Sequence, residues 1–463
     1  MQVARVVYEW SRAGEAGRRY LPSVQLAGER GTDEAAGSDD GRPGTGSSHH
    51  MLPSGDPVTA VSGRPRLLVL ASTFPASAQD SAPAFVRDLA AYESMHYDTT
   101  VLVPSVSGGP AQEQTHGLTV RRFRYFPRRW EDLADGAILE NLRARKSRWL
   151  QVIPFFLAEV LAVRRLVREF EPDVLHVHWI VPQGVAALVS RRGRPMLVTT
   201  LGGDVYGLRG PVSRRLIAAV LRRAAAVTTM NEDMRQRLIQ LGARADRVDV
   251  LPMGADVDGI RELASGVAPV PGRILFVGRL VEKKGVAVLL AALHLLPAEG
   301  YELRIVGDGP LGNHLRGLAD GLPVTFVGSL HRAELAREYA AASVVVFPSV
   351  LAASGDQDGL PVSLLEAMAA GRPVIASALP GLADAVEDGR SGRVVASGDA
   401  QALASAITSI LSDDREGQRL GHGAYERADA YSVQSVGDRY VAILDRLRSE
   451  RPSRTASRRG EGR

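Results

Sequence analysis

Three short stretches place cations, carboxylates and glycines where they could grip a phosphorylated sugar. In FVGRLVEKKG (276–285) an apolar run ends at Gly278, and Arg279 leaves its tip. Lys284 and Gly285 then open the helical run VAVLLAAL. Helix dipole, unpaired N–H groups and fixed positive charge converge at such a start, and a diphosphate is the natural guest. Taken alone, the same residues also read as a solvated helix start with ordinary basic side chains.

In GDQDGLPVSLLEAMAAG (355–371), Asp358 sits in a loop just before Gly359 and Leu360. Pro361 suits the first helical position and Gly371 the C-terminal cap. Glu366 follows Asp358 by eight residues, inside the helix. One carboxylate can meet a sugar from the loop, and the other can accept two hydrogen bonds from a ribose diol. Backbone N–H groups near Val362 and Ser363 would face phosphate. Plainer readings are a turn residue for Asp358 and an exposed helix residue for Glu366. Asp356-Gln357-Asp358 also spells an Asp-x-Asp pair, which could hold a divalent cation on a diphosphate.

The third stretch, LVTTLGGDVYG (197–207), ends a strand in Gly202, Gly203 and Asp204. Its glycines let a backbone approach a ligand closely. Asp204 is a candidate for a sugar or acceptor contact, or else a turn residue. In DVLHVHWIVPQG (173–184), period-2 alternation puts His176 and His178 on one face of a strand. His178, nearer the strand end, reads equally as an acceptor contact or a core histidine. No third ligand stands at a convincing spacing, so zinc is not expected. Asp80, in ASTFPASAQDSAP (71–83), is a further acceptor candidate.

These residues need elements to position them. Short apolar runs read as buried parallel strands at 65–75, 99–105, 172–179, 195–200, 225–230 and 247–252, with helix-period segments between them. After ASGVAPVPG (264–272), which reads as a linker, the alternation restarts. Its strands are expected at 273–278, 302–307, 324–328, 343–349, 373–377 and 392–395. The fold class is therefore α/β, with two Rossmann-like halves facing each other across a cleft. Ligands in such sheets bind outside the carboxyl ends of the strands, where every motif above falls.

At this point the chain resembles retaining, family-4-type glycosyltransferases of the GT-B fold, over about 65–445. Their Glu-x7-Glu and Ala-Met-Ala-x-Gly-x-Pro-Val signature reads here as Asp358, Glu366 and AMAAGRPV. Their Gly-Arg-Leu…Lys-Gly is Gly278, Arg279, Leu280, Lys284 and Gly285. The Gly-Asp-Gly-Pro turn is Gly307 to Pro310, and the base-binding Val-Gly-x-Leu is Val327, Gly328, Ser329 and Leu330. The resemblance implies that Arg279 and Lys284 hold the donor diphosphate, Glu366 the ribose, and Asp358 the transferred sugar. It implies reaction on one face of the sugar without a strongly placed protein nucleophile, and fixed cations that make a metal unnecessary. Leu201 departs from the pattern, standing where the family commonly has a histidine that contacts the donor sugar.

Composition narrows the field further. The chain has 463 residues and no cysteine, which excludes a disulfide framework, a Cys-ligated metal and a cysteine nucleophile. A net charge of +4, from 56 basic and 52 acidic residues, argues against nucleic acid as a partner. WLQVIPFFLAEVLAV (149–163), the most apolar window, is too short and too interrupted to span a bilayer. No signal-peptide core opens the sequence, so the expected place is the cytoplasm. VRRFRYFPRRW (120–130) holds five Arg and four aromatics. That pattern suits a peripheral membrane contact, or a hairpin whose aromatics pack inward.

The expected organisation is a disordered extension over 1–63, with Met51 a possible true start, then an acceptor-binding half over 64–265. A nucleotide-sugar half follows over 266–425, then a helix over 426–448 crossing back, then a basic disordered tail over 449–463. The expected activity moves a hexose or N-acetylhexosamine from a UDP- or GDP-type sugar to an acceptor hydroxyl, with no further cofactor. A catalytically weak binding subunit, or an epimerase or phosphorylase of the same fold, are the alternatives.

Overall fold

The computed structural model describes residues 63–450, apart from 78, 79, 81, 82, 137, 139, 140, 143, 144, 208, 209 and 298. The expected extension up to residue 62, with Met51, and the tail from 451 lie outside the described residues.

The first half is built on β1 (Arg66–Leu70), β2 (Asp98–Pro104), β3 (Gln112–Thr115), β4 (Leu118–Phe123), β5 (Val174–His178), β6 (Met196–Thr199), β7 (Ala226–Thr229) and β8 (Val248–Val250). They form one sheet in the order β3-β4-β2-β1-β5-β6-β7-β8. Every pairing is parallel except β3 with β4. RLLVL of β1 and VLHVH of β5 are buried almost throughout, because helices cover both faces of a parallel sheet.

The second half has β9 (Arg273–Val277), β10 (Glu302–Val306), β11 (Val324–Gly328), β12 (Val344–Phe347), β13 (Val374–Ser377) and β14 (Gly392–Val395). Their order is β11-β10-β9-β12-β13-β14, all parallel. Order reverses between β9 and β12, and a crevice opens at such a switch point.

The crossover between the halves comes earlier than the Gly/Pro-containing stretch implied. Met253 still packs in the first core, whereas Ala255, Val257 and Ile260 pack in the second. The Val257–Ala264 helix therefore belongs to the second half, and 264–272 is only the loop leading to β9. The return crossing lies beside the first: Ala255 N–H donates to Tyr431 O at 2.9 Å, and Val433 N–H donates to Ala255 O at 2.9 Å. Beyond it, the Val433–Ser449 helix packs on the first half. Tyr440 Oη donates to Leu251 O at 3.1 Å, and Tyr97 Oη to Asp445 Oδ1 at 2.7 Å.

Candidate active site

The expected donor motifs lie side by side along the carboxyl edge of the second sheet. Gly278 N–H donates to Val306 O at 3.0 Å, and Leu280 N–H to Asp308 O at 3.0 Å. Gly307 N–H donates to Gly328 O at 2.8 Å, and Ser329 Oγ to Asp308 Oδ2 at 3.3 Å. Three turns far apart in sequence are thus stitched into one rim. Arg279 is exposed at the tip of β9, and Leu330 is half-buried just past β11.

Gly285 decides how closely the Lys284 turn can approach β12. Its φ is +65°, and a Cβ there would sit 1.8 Å from Pro348 O. Only glycine satisfies both constraints. The turn therefore packs on the end of β12, and Lys284 Nζ reaches Asp358 Oδ2 at 2.9 Å. Ser349 Oγ donates to the same oxygen at 2.8 Å. Lys283 Nζ lies 3.2 Å from Asp356 Oδ2 and 3.9 Å from Asp358 Oδ1. Burial by itself would raise the Asp358 pKa, but Lys284, Lys283 and Ser349 outweigh it and hold the carboxyl below its usual range. Both carboxylates of the Asp-x-Asp pair therefore have ammonium partners.

Glu366 is half-buried, and Tyr339 Oη donates to its Oε2 at 3.0 Å. Burial raises its pKa, against the opposing pull of Tyr339 and the Arg332 guanidinium. Arg332 itself binds Asp256 and, 3.3 Å away across the cleft, Asp88 of the first half. The Val362–Ala369 helix begins at Pro361 with no side-chain cap, so its positive end points an uncapped first turn at the cleft. Ser363 Oγ donates back to Val277 O at 3.5 Å, tying that first turn to β9.

The first half meets this rim through its glycine turn. A Cβ on Gly202 would lie 3.5 Å from Gly359 N. Gly359 in turn packs against Met230 and Met234, and Asn231 Nδ2 donates to Gly359 O at 3.1 Å. Leu360 packs against both cores. The Asp358 loop is therefore closed down on the loops after β6 and β7. Gly203 has no atom within 4 Å of where a Cβ would lie, so the space beside it is open.

Other expected acceptor residues sit differently. Asp204 is buried, and its carboxylate accepts from Ile180 N–H at 3.0 Å and Leu201 N–H at 3.2 Å. It organises the turn, in the plainer of its two readings. His178 is fully buried and lies tilted against His176, with ring centroids 4.3 Å apart. It does not open on the cleft: its side chain is sealed from solvent, and β5 runs on into the largely buried Ile180–Gly184 segment. His176 bridges Glu93 Oε1 at 2.7 Å and Thr199 Oγ1 at 2.8 Å. Burial lowers the His176 pKa to about 3 and that of His178 well below the usual value, so both rings are neutral. Asp80 Oδ2 accepts from Ala76 N–H at 2.7 Å in the loop after β1. In 120–130 the aromatics mostly turn inward: Phe123 and Tyr125 are buried against Phe155, and only Trp130 is well exposed.

Several partners at this site had no reading in the sequence. Ser349 ends the expected strand SVVVFPS, so its position at a strand tip was an available signal. Tyr339 and Arg332 carry none, since their partners are distant in sequence. Among the described residues no group of three or more His, Asp or Glu is arranged to hold a metal ion. No described helix is long and apolar enough to cross a membrane.

Comparison with known proteins identifies the family and the fold. Residues 271–413 match the family described as glycosyl transferases group 1, and residues 82–254 match the glycosyl transferase 4-like domain. The amylovoran biosynthesis glycosyltransferase AmsK of Erwinia amylovora is 34% identical over 296 residues, which is 60% of this chain and 72% of AmsK. Sucrose-phosphate synthase from Thermosynechococcus elongatus superposes with a TM-score of 0.69 at 23% identity, over 84% of this chain and 100% of that one. HepE from Anabaena, solved in complex with UDP and glucose, gives 0.61 at 20% identity, over 83% of this chain and 100% of its own. At those identities the structures speak to the fold alone. The chain belongs to the group 1, family-4-type glycosyltransferases, and its two facing halves are their GT-B fold.

Proposed function

We propose that this chain transfers a hexose or N-acetylhexosamine from a nucleotide-diphosphate sugar to an acceptor hydroxyl, with retention and without a metal. The observation that carries the reading is the cluster at the ends of β9 and β12. Exposed Arg279, the Lys284–Asp358–Ser349 group and the uncapped Val362–Ala369 helix converge there.

Each part has a chemical task in this reading. Arg279 and Lys284 neutralise the diphosphate as its bond to the sugar breaks, and the dipole of the Val362–Ala369 helix adds to the same field. Such stabilisation acts where charge develops and is worth about 10²–10³ in turnover per donor group. Lys284 would exchange its Asp358 contact for phosphate, freeing a carboxylate oxygen for a sugar hydroxyl. Tyr339 orients Glu366 toward the ribose, and the Gly328–Leu330 turn receives the base. Because Asp356 and Asp358 already have ammonium partners, the donor set favours fixed cations over a divalent metal. The Gly202–Gly359 seam would exclude water from the reacting sugar. The acceptor is a hydroxyl of a growing glycan, in line with the amylovoran pathway of AmsK. Gly203 and its neighbours are the place to receive it.

Leu201 supports one second reading, a subunit that binds donor with little turnover. Its side chain packs on the first core, so the turn presents backbone where the family pattern has a histidine. Both readings are tested by incubating the protein with UDP- and GDP-sugars and following the released sugar by NMR at early times. Retention predicts an α-sugar first from an α-linked donor, with loss of signal in Arg279→Ala. A β-sugar first would overturn retention, and donor binding without any breakdown would select the weak subunit.

A further inference from the structure

The Trp149–Glu169 helix carries an apolar stripe on its solvent side. Leu150, Ile153, Leu157 and Leu161 are 74%, 42%, 55% and 64% exposed. Their spacing of three and four residues keeps them on one face, over a length of about 16 Å. The opposite face packs conventionally, through Phe155, Val163 and Leu166. Four adjacent apolar side chains in water on one helix are not explained by packing among the described residues, and such patches mark contact surfaces.

Charge surrounds the stripe and identifies its partner. Continuing along the same face, the exposed residues become Arg164 and Arg168, with Arg165 beside them. At the other end stand exposed Arg145 and Lys146. The one exposed carboxylate of the helix, Glu169, is paired with Arg165 at 2.6 Å. Trp130, 54% exposed under the Arg129 guanidinium, lies in the loop tied to the helix start. That tie runs through Asp132, which accepts from Arg148 Nε at 2.9 Å and Gln151 Nε2 at 2.8 Å. Apolar side chains bracketed by cations match the boundary between acyl chains and anionic headgroups, where such helices lie with their long basic side chains reaching to phosphate.

The topology places this face usefully. The helix links β4 to β5, which run parallel in one sheet, so it must run back against them. Phe155 packs on Phe123 at the carboxyl end of β4, with ring centroids 5.4 Å apart. The apolar half of the helix is therefore at the cleft end of the first sheet.

We infer that the exposed face of the Trp149–Glu169 helix docks the protein on an anionic lipid bilayer, with its leucines in the headgroup boundary. The cleft of the acceptor-binding half then opens beside the membrane surface, within reach of an acceptor held in the lipid. Docking itself does not depend on the donor reading, so it stands or falls separately.

The test is co-sedimentation of the full chain with vesicles of phosphatidylcholine alone and of equal parts phosphatidylcholine and phosphatidylglycerol. Binding is expected only to the anionic vesicles. Leu157→Glu/Leu161→Glu should abolish it with unchanged thermal unfolding, since both residues are exposed. Arg164→Ala/Arg168→Ala should weaken it about 25-fold, about fivefold for each cation near the surface. Wild-type protein left in the supernatant at low salt would overturn the proposal. So would binding that survives the leucine substitutions, which would assign it to another basic segment such as 451–463. A dimer in solution that the leucine substitutions convert to monomer, without vesicle binding, would make the face a protein interface instead.

Discussion

Replacing Lys284 by Met should separate what the donor cluster does for stability from what it does for chemistry. Asp358 is almost fully buried and has Lys284 at 2.9 Å. Without that ammonium, Asp358 keeps Ser349 and has Lys283 at 3.9 Å, which is itself drawn toward Asp356. Breaking a buried pair by removing one partner costs about 3–5 kcal/mol, and residual help from Lys283 points to the low end. A loss of about 3 kcal/mol corresponds to a fall in Tm of about 6–12 °C for halves of this size. Lys284→Met/Asp358→Asn removes both charges and should return to within about 1 kcal/mol of wild type. The pH dependence follows from the direction of the Asp358 shift. Its folded pKa is depressed, so the pair stabilises fully above the unfolded value of about 3.9, and that contribution fades as pH falls through the folded value. The gap between wild type and Lys284→Met should therefore narrow below about pH 4. Donor turnover should behave differently, dropping about 10²–10³-fold in the single and the double variant alike. Denaturant or thermal unfolding at several pH values, with donor breakdown on the same samples, reads all of this. A Lys284→Met protein as stable as wild type, or a double variant that regains turnover, would refute the reasoning.

Two further outcomes follow from buried or crowded positions. Glu159 is fully buried, and burial pushes its pKa from 4.5 up to about 8. The buried acid is held neutral, so its contribution to stability is complete below 4.5 and is lost as pH rises through about 8. Between those two values stability falls by about 1.4 kcal/mol for each pH unit. Glu159→Gln should therefore gain Tm over wild type at pH 9 by several degrees more than at pH 5; an equal gain at both would contradict the assignment. Gly359→Ala would place a Cβ 3.2 Å from Met230 Cγ and 3.3 Å from Met234 Sδ, flexible neighbours that can yield. Stability should fall by about 1 kcal/mol, the low end for overpacking because both Met side chains can yield, while KM for the donor rises because the crowded Asp358 loop is displaced. A large Tm loss with unchanged KM would contradict that.

How much was legible in the sequence varied with how local the cause was. Apart from β3 and β4, the strands of both sheets were marked by short apolar runs, because a strand covered on both faces must be largely apolar. β3 and β4 carry no strand signal of their own, since QEQT is a polar edge strand without buried alternation, and the hairpin reading falls on 120–130 instead. The Gly/Pro stretch places the crossover too late because Gly and Pro mark loops, whereas the domain boundary is set by which core Met253 and Ala255 join. The residue types at the candidate site are readable from motif spacing. The Lys284–Asp358 contact spans 74 residues and the Tyr339–Glu366 contact 27, so neither pairing could be read locally. Period-2 alternation correctly put His176 and His178 on one face, but it says nothing about what covers the end of a strand.

The central claim, a nucleotide-diphosphate site between Arg279, Lys284 and Glu366, is tested most directly by thermal shift with UDP, GDP and ADP. At about a hundredfold excess over its Kd, a ligand adds about 2.7 kcal/mol. The account predicts stabilisation by at least one of these nucleotides, and loss of that shift in Glu366→Ala and Lys284→Met. No shift with any nucleotide, or a shift indifferent to both substitutions, would contradict it.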